Sequence, residues 1–176
     1  MYKVLVTDPI SDKGLKIIRD AGIELVYEPS SSSDELKNLI KDINGWIIRS
    51  GTKILNEHLE LATSLQVIGR AGVGIDNIDI KSATNKGVLV MNMPDGNTIS
   101  AAEHTMALIF ALSRNIQMGH LGLINGKWNR HTLVGNELRG KTLGVVGLGR
   151  IGRELIKRAS GFEMKILGYD PYVNQE

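Results

Sequence analysis

Short apolar runs recur along the first half of the chain and predict β-strands at residues 2–7, 23–27, 45–49, 65–69 and 88–91. The segments between these runs carry apolar residues at helical spacing. We predict that these helices begin at the caps Ser11, Asn56 and Asp79 and at the capping pair Ser32 and Glu35, and that two of them end at Gly22 and Gly87. Strands that alternate with helices are typical of a parallel sheet covered on both faces. We therefore expect residues 1–94 to form one open α/β domain.

A longer apolar stripe follows and predicts a single helix from Ala101 to about Met118. Ser100 and Glu103 form its predicted capping box. Residues 119–140 then form a glycine-rich, polar arm whose apolar side chains have no core of their own: Leu121, Leu123, Ile124 and Trp128. We expect a partner subunit to cover this arm.

Residues 141–170 combine a buried strand, a G-x-G-x-x-G turn, an amphipathic helix, a second strand and an acid. The turn is Gly147-Leu148-Gly149-Arg150-Ile151-Gly152. The apolar face of the helix consists of Ile151, Leu155, Ile156 and Ala159, with Phe162 closing it. This order is typical of a dinucleotide-binding unit, whereas a glycine turn alone also occurs in plain βαβ units.

Each part of that pattern would have a physical role in binding a dinucleotide. Gly147 permits a tight turn, Gly149 lets a pyrophosphate approach the backbone, and Gly152 lets the helix pack close to the strand. The start of the helix offers free N–H groups and the positive end of its dipole to the phosphates. A carboxylate at Asp170 can accept hydrogen bonds from ribose hydroxyls and would repel a 2′-phosphate, which favours NAD over NADP.

Arginines follow two of the predicted strands in the first half of the chain. Arg49, followed by Ser50, ends one strand, and Arg70 ends the next and precedes a Gly72-Val73-Gly74 turn. Ligands of open α/β sheets bind beyond the carboxyl ends of the strands, and arginine binds carboxylate or phosphate in bidentate fashion. The turn could add backbone N–H groups, and Asn97 could add a polar contact. Two arginines at neighbouring strand ends favour a small anionic ligand over structural ion pairs.

The histidines do not indicate catalysis or metal binding. We expect surface or capping roles for His58, His104, His120 and His131, and no two of them have the spacing of a metal site. Asp76 and Asp79 are expected to be turn and cap residues.

Composition limits the classes of function. The formal charge of +2 is too small, and the basic residues too scattered, for a nucleic-acid surface. The absence of cysteine excludes disulfides and thiolate nucleophiles and fits a cytoplasmic enzyme. No apolar run approaches membrane-spanning length, and the start of the chain predicts a strand rather than a signal peptide. We expect a cytoplasmic protein that binds neither nucleic acid nor membrane.

Four stretches make the chain similar to the D-2-hydroxyacid dehydrogenase family. They are GWIIRSGTKI (45–54), LQVIGRAGVGIDNIDI (65–80), VLVMNMPDGNTISAAEH (88–104) and GKTLGVVGLGRIGRELIKRASGFEMKILGYDP (140–171). The resemblance implies a flavodoxin-like substrate domain over residues 1–94 and an incomplete Rossmann-type NAD-binding domain over residues 95–176. In this family the substrate domain is split, and its last part follows the nucleotide domain.

The resemblance also implies an activity and a set of contacts. The expected reaction is oxidation of 3-phospho-D-glycerate to 3-phosphohydroxypyruvate with NAD, in serine synthesis. The implied substrate-binding residues are Arg49, Ser50, Arg70, Gly72, Val73, Gly74 and Asn97. The implied cofactor-binding residues are Gly147, Gly149, Arg150, Ile151, Gly152 and Asp170. Residues 98–140 resemble the segments that build the family's dimer.

Two departures from the family bear on these expectations. Val73 stands where relatives can carry threonine, so only the backbone could serve there. The family's catalytic arginine, glutamate and histidine lie beyond residue 176, so we expect this chain not to turn over by itself. A dehydrogenase for glyoxylate, hydroxypyruvate or lactate and a non-catalytic nucleotide-binding module remain alternatives.

Overall fold

The computed structural model describes residues 1–29 and 33–172, and the chain forms two compact units, Met1–Gly96 and Asn97–Glu176. Among the described residues, the first unit contains a sheet of five strands and the second a sheet of two. All the strand pairs in these two sheets are parallel, which confirms the predicted α/β class. Within the same residues, no helix is both long enough and apolar enough to cross a bilayer.

The strands of the first unit lie in the order β2-β1-β3-β4-β5, as in a flavodoxin-like sheet. They are β1 Lys3–Val6, β2 Glu24–Tyr27, β3 Gly45–Ile48, β4 Val67–Arg70 and β5 Leu89–Asn92. Ile48 lies opposite Arg70 in the register, so β3 and β4 end side by side. Arg49 and Arg70 are therefore at the same edge of the sheet.

Four helices connect these strands: α1 Asp12–Asp20, α2 Ser33–Leu39, α3 Asn56–Leu61 and α4 Ile80–Asn85. Ser11 and Asp79 cap α1 and α4 as predicted, because each side chain accepts a backbone N–H from the first turn. The predicted end residues Gly22 and Gly87 have φ angles of 72° and 69°, which favour glycine. Ser32, half of a predicted capping pair, lies outside the described residues.

The start of α3 differs from the prediction. Asn56 is the first residue of the helix rather than its cap, and the Leu55 N–H donates to Nδ1 of His58 over 3.1 Å. The His58 ring meets Trp46 edge-on at 6.1 Å and is only 6% exposed. The predicted capping role of His58 is confirmed, and its predicted place on the surface is wrong.

One face of the five-stranded sheet carries the core of the first unit. Leu5, Trp46, Ile68 and Val90 form a row across the sheet, because each is the register partner of the next. The side chains that pack with this row include Leu39, Ile40, Leu59, Ala62 and Ala83. Full burial of one large apolar side chain contributes about 1.5–3 kcal/mol, so this layer is a main source of stability.

The opposite face is incompletely covered at β5. Leu89 and Met91 alternate with Val90 along the strand and are each more than half exposed. Our expectation of a sheet covered on both faces is therefore wrong at this edge.

The second unit is built around a βαβ element. The βαβ element consists of β6 Thr142–Val146, α7 Arg150–Ser160 and β7 Lys165–Tyr169. Before it in the chain lie α5 Thr98–Ser113, α6 Ile116–Ile124 and a 3-10 helix, Arg130–Thr132. β6 and β7 pair in parallel, with Thr142 opposite Lys165. Phe162 follows α7 and meets Phe110 of α5 edge-on, with ring centroids 4.8 Å apart. α5 thus covers one side of α7.

The predicted long helix is interrupted. It begins at Thr98 and ends at Ser113, because the N–H of Asn136 donates to the Ser113 carbonyl over 2.7 Å and Asn115 adopts a left-handed φ of 52°. The predicted capping box is also wrong. The Ser100 hydroxyl donates to the Asn97 carbonyl, and the Glu103 carboxylate accepts from Arg158 at 3.1 Å.

The arm after α5 begins as a helix, α6, rather than as irregular chain. Its apolar residues remain exposed as expected: Leu121, Leu123, Ile124 and Trp128. The two-stranded sheet also leaves apolar side chains in solvent, and Val146 is 85% exposed.

Candidate functional site

The glycine turn between β6 and α7 has the geometry that the sequence pattern predicts. Gly147 has a φ of 99°, and its N–H donates to the Tyr169 carbonyl over 2.8 Å. A Cβ at Gly152 would overlap the Gly147 carbonyl oxygen, so close packing of helix and turn requires glycine there. A Cβ at Gly149 would meet nothing within 4 Å, so the backbone in front of α7 is open to a ligand. The predicted tight turn and close helix packing are confirmed.

Asp170 lies just after β7 and contacts this turn directly. Its Oδ2 accepts from the Leu148 N–H at 2.7 Å, and its Oδ1 accepts from the Tyr172 N–H at 2.9 Å. These two hydrogen bonds, Tyr172 first, and the charge of Arg153 lower the pKa of Asp170 below its ordinary value, although partial burial opposes them. A carboxylate therefore lies beside the turn, in the position that the pattern assigns to a ribose-binding acid.

Arg153, in the first turn of α7, also binds the glycine turn, and this contact was not predicted. Its Nε donates to the Leu148 carbonyl over 2.8 Å, so both backbone polar groups of Leu148 bind charged side chains. A basic residue in the first turn of the helix was the signal available in the sequence. Arg150 and Ile151, which the family resemblance assigns to the cofactor, are both exposed at the start of α7.

Arg49 follows β3 and is exposed at the carboxyl edge of the sheet. Its Nη1 donates to the Pro9 carbonyl over 3.3 Å. Together with Pro9, Ile10, Ser11 and Ala71 it lines an open cavity of about 470 Å³. Ser50 is exposed beside it. Two further residues, Asp8 and Asn77, bind the backbone of this loop, and neither was assigned a role from the sequence.

Arg70 ends β4 and is half-buried, with its guanidinium folded over Gly72. A Cβ on Gly72 would overlap Nη1 of Arg70, so a larger residue there would displace the guanidinium from this position. Nε of Arg70 is buried and has no hydrogen-bond partner among the described residues. We expected the backbone N–H groups of this turn to be available to an anion. The Gly72 N–H instead donates to the Arg70 carbonyl over 2.8 Å, so the expectation is wrong for this amide.

The other candidate contacts near this turn are placed as follows. The Val73 carbonyl accepts from the Asn92 side chain at 2.6 Å, and Gly74 is half-buried beyond it. Asn97 is exposed at the start of α5 and makes no side-chain capping bond. The structure thus brings Arg49, Arg70 and the turn to one sheet edge in the first unit, and Asn97 begins the second unit.

The titratable residues that the structure describes were compared with the requirements of a metal site. Over residues 1–29 and 33–172 no group of three or more His, Cys, Asp or Glu side chains is arranged to hold a metal ion. His104, His120 and His131 are exposed.

Comparison with known proteins agrees with this geometry. The sequence model of the D-isomer-specific 2-hydroxyacid dehydrogenase catalytic domain matches residues 4–169. A protein from Methanocaldococcus jannaschii named D-3-phosphoglycerate dehydrogenase is 49% identical over all of this chain, which covers 33% of that protein. The human protein of the same name is 46% identical with the same coverage. The chain therefore spans about a third of the length of these curated relatives.

Solved structures show the same relationship. The NAD⁺-bound 3-phosphoglycerate dehydrogenase of Entamoeba histolytica has a TM-score of 0.79 at 32% identity, covering 99% of this chain and 56% of that one. The D-lactate dehydrogenase of Aquifex aeolicus, solved with NAD and lactic acid, has a TM-score of 0.86 at 26% identity, covering 99% and 52%. The family match extends over most of the sequence and includes both the glycine turn and the arginine-bearing loops. This chain belongs to the family of D-isomer-specific 2-hydroxyacid dehydrogenases.

Proposed function

We propose that this chain is the amino-terminal part of an NAD-dependent dehydrogenase that oxidises 3-phospho-D-glycerate at C2. The observation that carries the proposal is the Asp170 carboxylate, which accepts the Leu148 N–H within the glycine turn at 2.7 Å. It supports a nicotinamide dinucleotide as the cofactor, and NAD in particular. The relatives named D-3-phosphoglycerate dehydrogenase support the substrate.

The residues of the turn fit a dinucleotide. The space in front of Gly149 admits a pyrophosphate, and the first N–H groups of α7 have no partners earlier in the helix to satisfy them. Arg150 and Ile151 would lie beside the phosphates, and Asp170 would bind the ribose hydroxyls and repel a 2′-phosphate. NAD, when bound, supplies the acceptor for the hydride that leaves C2 of the hydroxy acid.

The arginines support an acidic substrate that carries more than one anionic group. Arg49 and Arg70 end neighbouring strands, and each guanidinium can bind phosphate or carboxylate in bidentate fashion. Ser50, Val73, Gly74 and Asn97 are the further contacts that we propose for the substrate, and Gly72 is left out because its N–H donates to the Arg70 carbonyl. The proposal assigns no catalytic acid or base to this chain, because the family's arginine, glutamate and histidine are expected beyond residue 176.

A partner subunit fits the arm. α6 and the residues after it expose apolar side chains around a cavity of about 540 Å³, lined by Met118, Leu121, Trp128 and Leu133 among others. Exposed apolar surface of this kind favours association, so we propose a homodimer formed through residues 98–140. A cytoplasmic location and a place in serine synthesis follow from the proposed activity.

Calorimetric titration of NAD and NADP into this chain tests the cofactor. We expect NAD to bind and NADP to bind at least about tenfold more weakly, because the Asp170 carboxylate would repel the 2′-phosphate. Asp170→Ala should weaken NAD and reduce the preference between the two. An unchanged preference would remove Asp170 from the ribose site.

Kinetics of the full-length gene product tests the substrate. We expect NADH oxidation to be faster with phosphohydroxypyruvate than with hydroxypyruvate, and Arg49→Ala to raise the Michaelis constant for the phosphorylated acid selectively. Equal efficiency with both acids, or with pyruvate, would favour another 2-hydroxyacid dehydrogenase. Binding of NAD without turnover of any of these acids would favour a non-catalytic nucleotide-binding module.

A further inference from the structure

The loop that carries Arg49 is bound at both ends by the same two side chains. The Asp8 Oδ2 accepts from the N–H of Arg49 at 2.6 Å and from the N–H of Thr52 at 3.0 Å. The Asn77 Nδ2 donates to the carbonyls of Arg49 and Thr52, over 2.6 Å in each case. Asp8 and Asn77, which we call the clamp, thus bind the N–H and carbonyl groups of both end residues.

The chemistry of the contacts fixes the orientation of Asn77. Its –NH₂ group has two hydrogens, one for each carbonyl, whereas its oxygen in that place would face two acceptors. The Asn77 Oδ1 is buried and has no hydrogen-bond partner among the described residues. An unpaired buried acceptor costs stability, which indicates that the two bonds to the loop take precedence at this position.

Asp8 is placed with equal constraint. It is 6% exposed and forms no ion pair within the described part of the chain, so two backbone N–H groups hold its carboxylate. A Cβ at Gly51 would overlap the Asp8 Oδ1. A larger residue at position 51 would therefore have to displace this carboxylate. The carbonyl of Pro9, the residue after Asp8, accepts from the Arg49 guanidinium.

The clamp leaves the middle of the loop unbound. The N–H groups of Ser50 and Gly51 have no hydrogen-bond acceptor in residues 1–29 and 33–172. Two free backbone N–H groups that follow an exposed arginine in the chain are donors of the kind that bind phosphate or carboxylate.

The clamp also joins the two arginine-bearing segments. Asn77 lies shortly after the Gly72–Gly74 turn, and its carbonyl accepts from the Ile54 N–H at 2.8 Å. The carbonyl of Ile54 accepts from the N–H of Asp79, also over 2.8 Å. The chain after Arg70 thus supplies the side chain that shapes the loop after β3.

We propose that Asp8 and Asn77 are positioning residues that hold residues 49–52 in the shape in which Arg49, Ser50 and Gly51 bind an anionic group of the ligand. This inference rests on the proposed function, since it requires the loop to bind an acidic substrate. Neither clamp residue needs to touch the ligand.

Binding to the 176-residue chain tests the clamp. We would titrate 3-phospho-D-glycerate and inorganic phosphate into Asn77→Ala and Asp8→Ala, with Asn85→Ala and Asp20→Ala as exposed controls. Both clamp variants should bind about tenfold more weakly, and the controls should not change. Removal of the Asp8 charge would by itself strengthen anion binding, so weaker binding by Asp8→Ala separates positioning from electrostatics. Unchanged or tighter binding by both folded variants would overturn the proposal.

A double-mutant cycle and amide hydrogen exchange complete the test. In the Arg49→Ala background, Asn77→Ala should have less effect on affinity than alone, because one of the three groups that the clamp positions is already missing. The amides of Arg49 and Thr52 should exchange more slowly than those of Ser50 and Gly51. Asn77→Ala should speed the exchange of the Arg49 and Thr52 amides without affecting the amides of β3. This exchange also detects a clamp variant that has failed to fold.

The outcomes separate the clamp from the proposed function. If 3-phospho-D-glycerate binds no more tightly than phosphate while both depend on Asn77, the substrate is wrong and the clamp stands. If its binding requires Arg49 and neither Asp8 nor Asn77, the clamp is wrong and the substrate stands. Absence of binding by either anion overturns both.

Discussion

The Asp170 carboxylate accepts the backbone N–H of Leu148 over 2.7 Å, across 22 residues of sequence. This bond closes the βαβ element of the second unit, because it ties the end of β7 to the turn after β6. The acid that the sequence pattern assigns to a cofactor therefore also stabilises the turn that would bind the phosphates. Substitution at Asp170 should affect both functions.

Stability should depend on the ionisation of Asp170. Its pKa in the folded protein is lowered from 3.8, so it stabilises the fold above the pKa of the unfolded chain, and this contribution is lost as the pH falls through the lower folded value. Asp170→Asn should be less stable than the wild type near pH 7, and the difference should shrink below about pH 4. Urea unfolding between pH 7 and pH 2.5 measures this. A difference that stays constant with pH would contradict the role of the charge.

Two glycines of the turn should respond differently to alanine. Gly152→Ala places a methyl group against the Gly147 carbonyl oxygen and should cost about 1–3 kcal/mol of unfolding free energy. Gly149→Ala places it in open space and should cost less than about 1 kcal/mol, mainly as a poorer helix cap. NAD affinity should nevertheless fall in Gly149→Ala, because the methyl group would lie in the path that we propose for the pyrophosphate. Full NAD affinity in that variant would place the phosphates elsewhere.

His58 should contribute to the stability of the first unit. His58→Ala removes the acceptor of the Leu55 N–H and the ring that packs on Trp46, which should lower the unfolding free energy by about 1–3 kcal/mol. The exposed His120 provides the matched control, since His120→Ala should change stability by less than about 0.5 kcal/mol. Thermal unfolding of the two variants makes the comparison. Equal effects would mean that the buried contacts of His58 are energetically neutral.

The two-stranded sheet should be among the less protected parts of the chain. β6 and β7 have no further strand beside them among the described residues, and Val146 is 85% exposed. Amides of β7 should exchange faster than those of β3, which lies between two strands and is mostly buried. Hydrogen-exchange mass spectrometry on peptides from both strands measures the ratio. Similar protection would indicate that β7 is stabilised by contacts other than its pairing with β6.

Sequence reasoning could locate elements and turns because local signals encode them. The glycine turn is an example: positive φ at Gly147 and close packing at Gly152 depend on residues that are neighbours in the chain. The same reasoning failed at α5, where the helix ends because Asn136 binds the Ser113 carbonyl. The sequence near position 113 contains neither glycine nor proline, so the contact with Asn136, together with the left-handed backbone at Asn115, decides where the helix ends.

The sequence by itself determined the α/β class, the parallel strands, the glycine turn and the two arginines at strand ends, since each follows from periodicity or from the conformational needs of single residues. The tertiary structure decided what holds these groups in place. Asp8 contacts Arg49 across 41 residues, and Asn77 reaches it across 28. In each contact a side chain binds backbone groups that lie far away in the sequence and share no period or motif with it, because only the folded sheet brings the ends of its strands together.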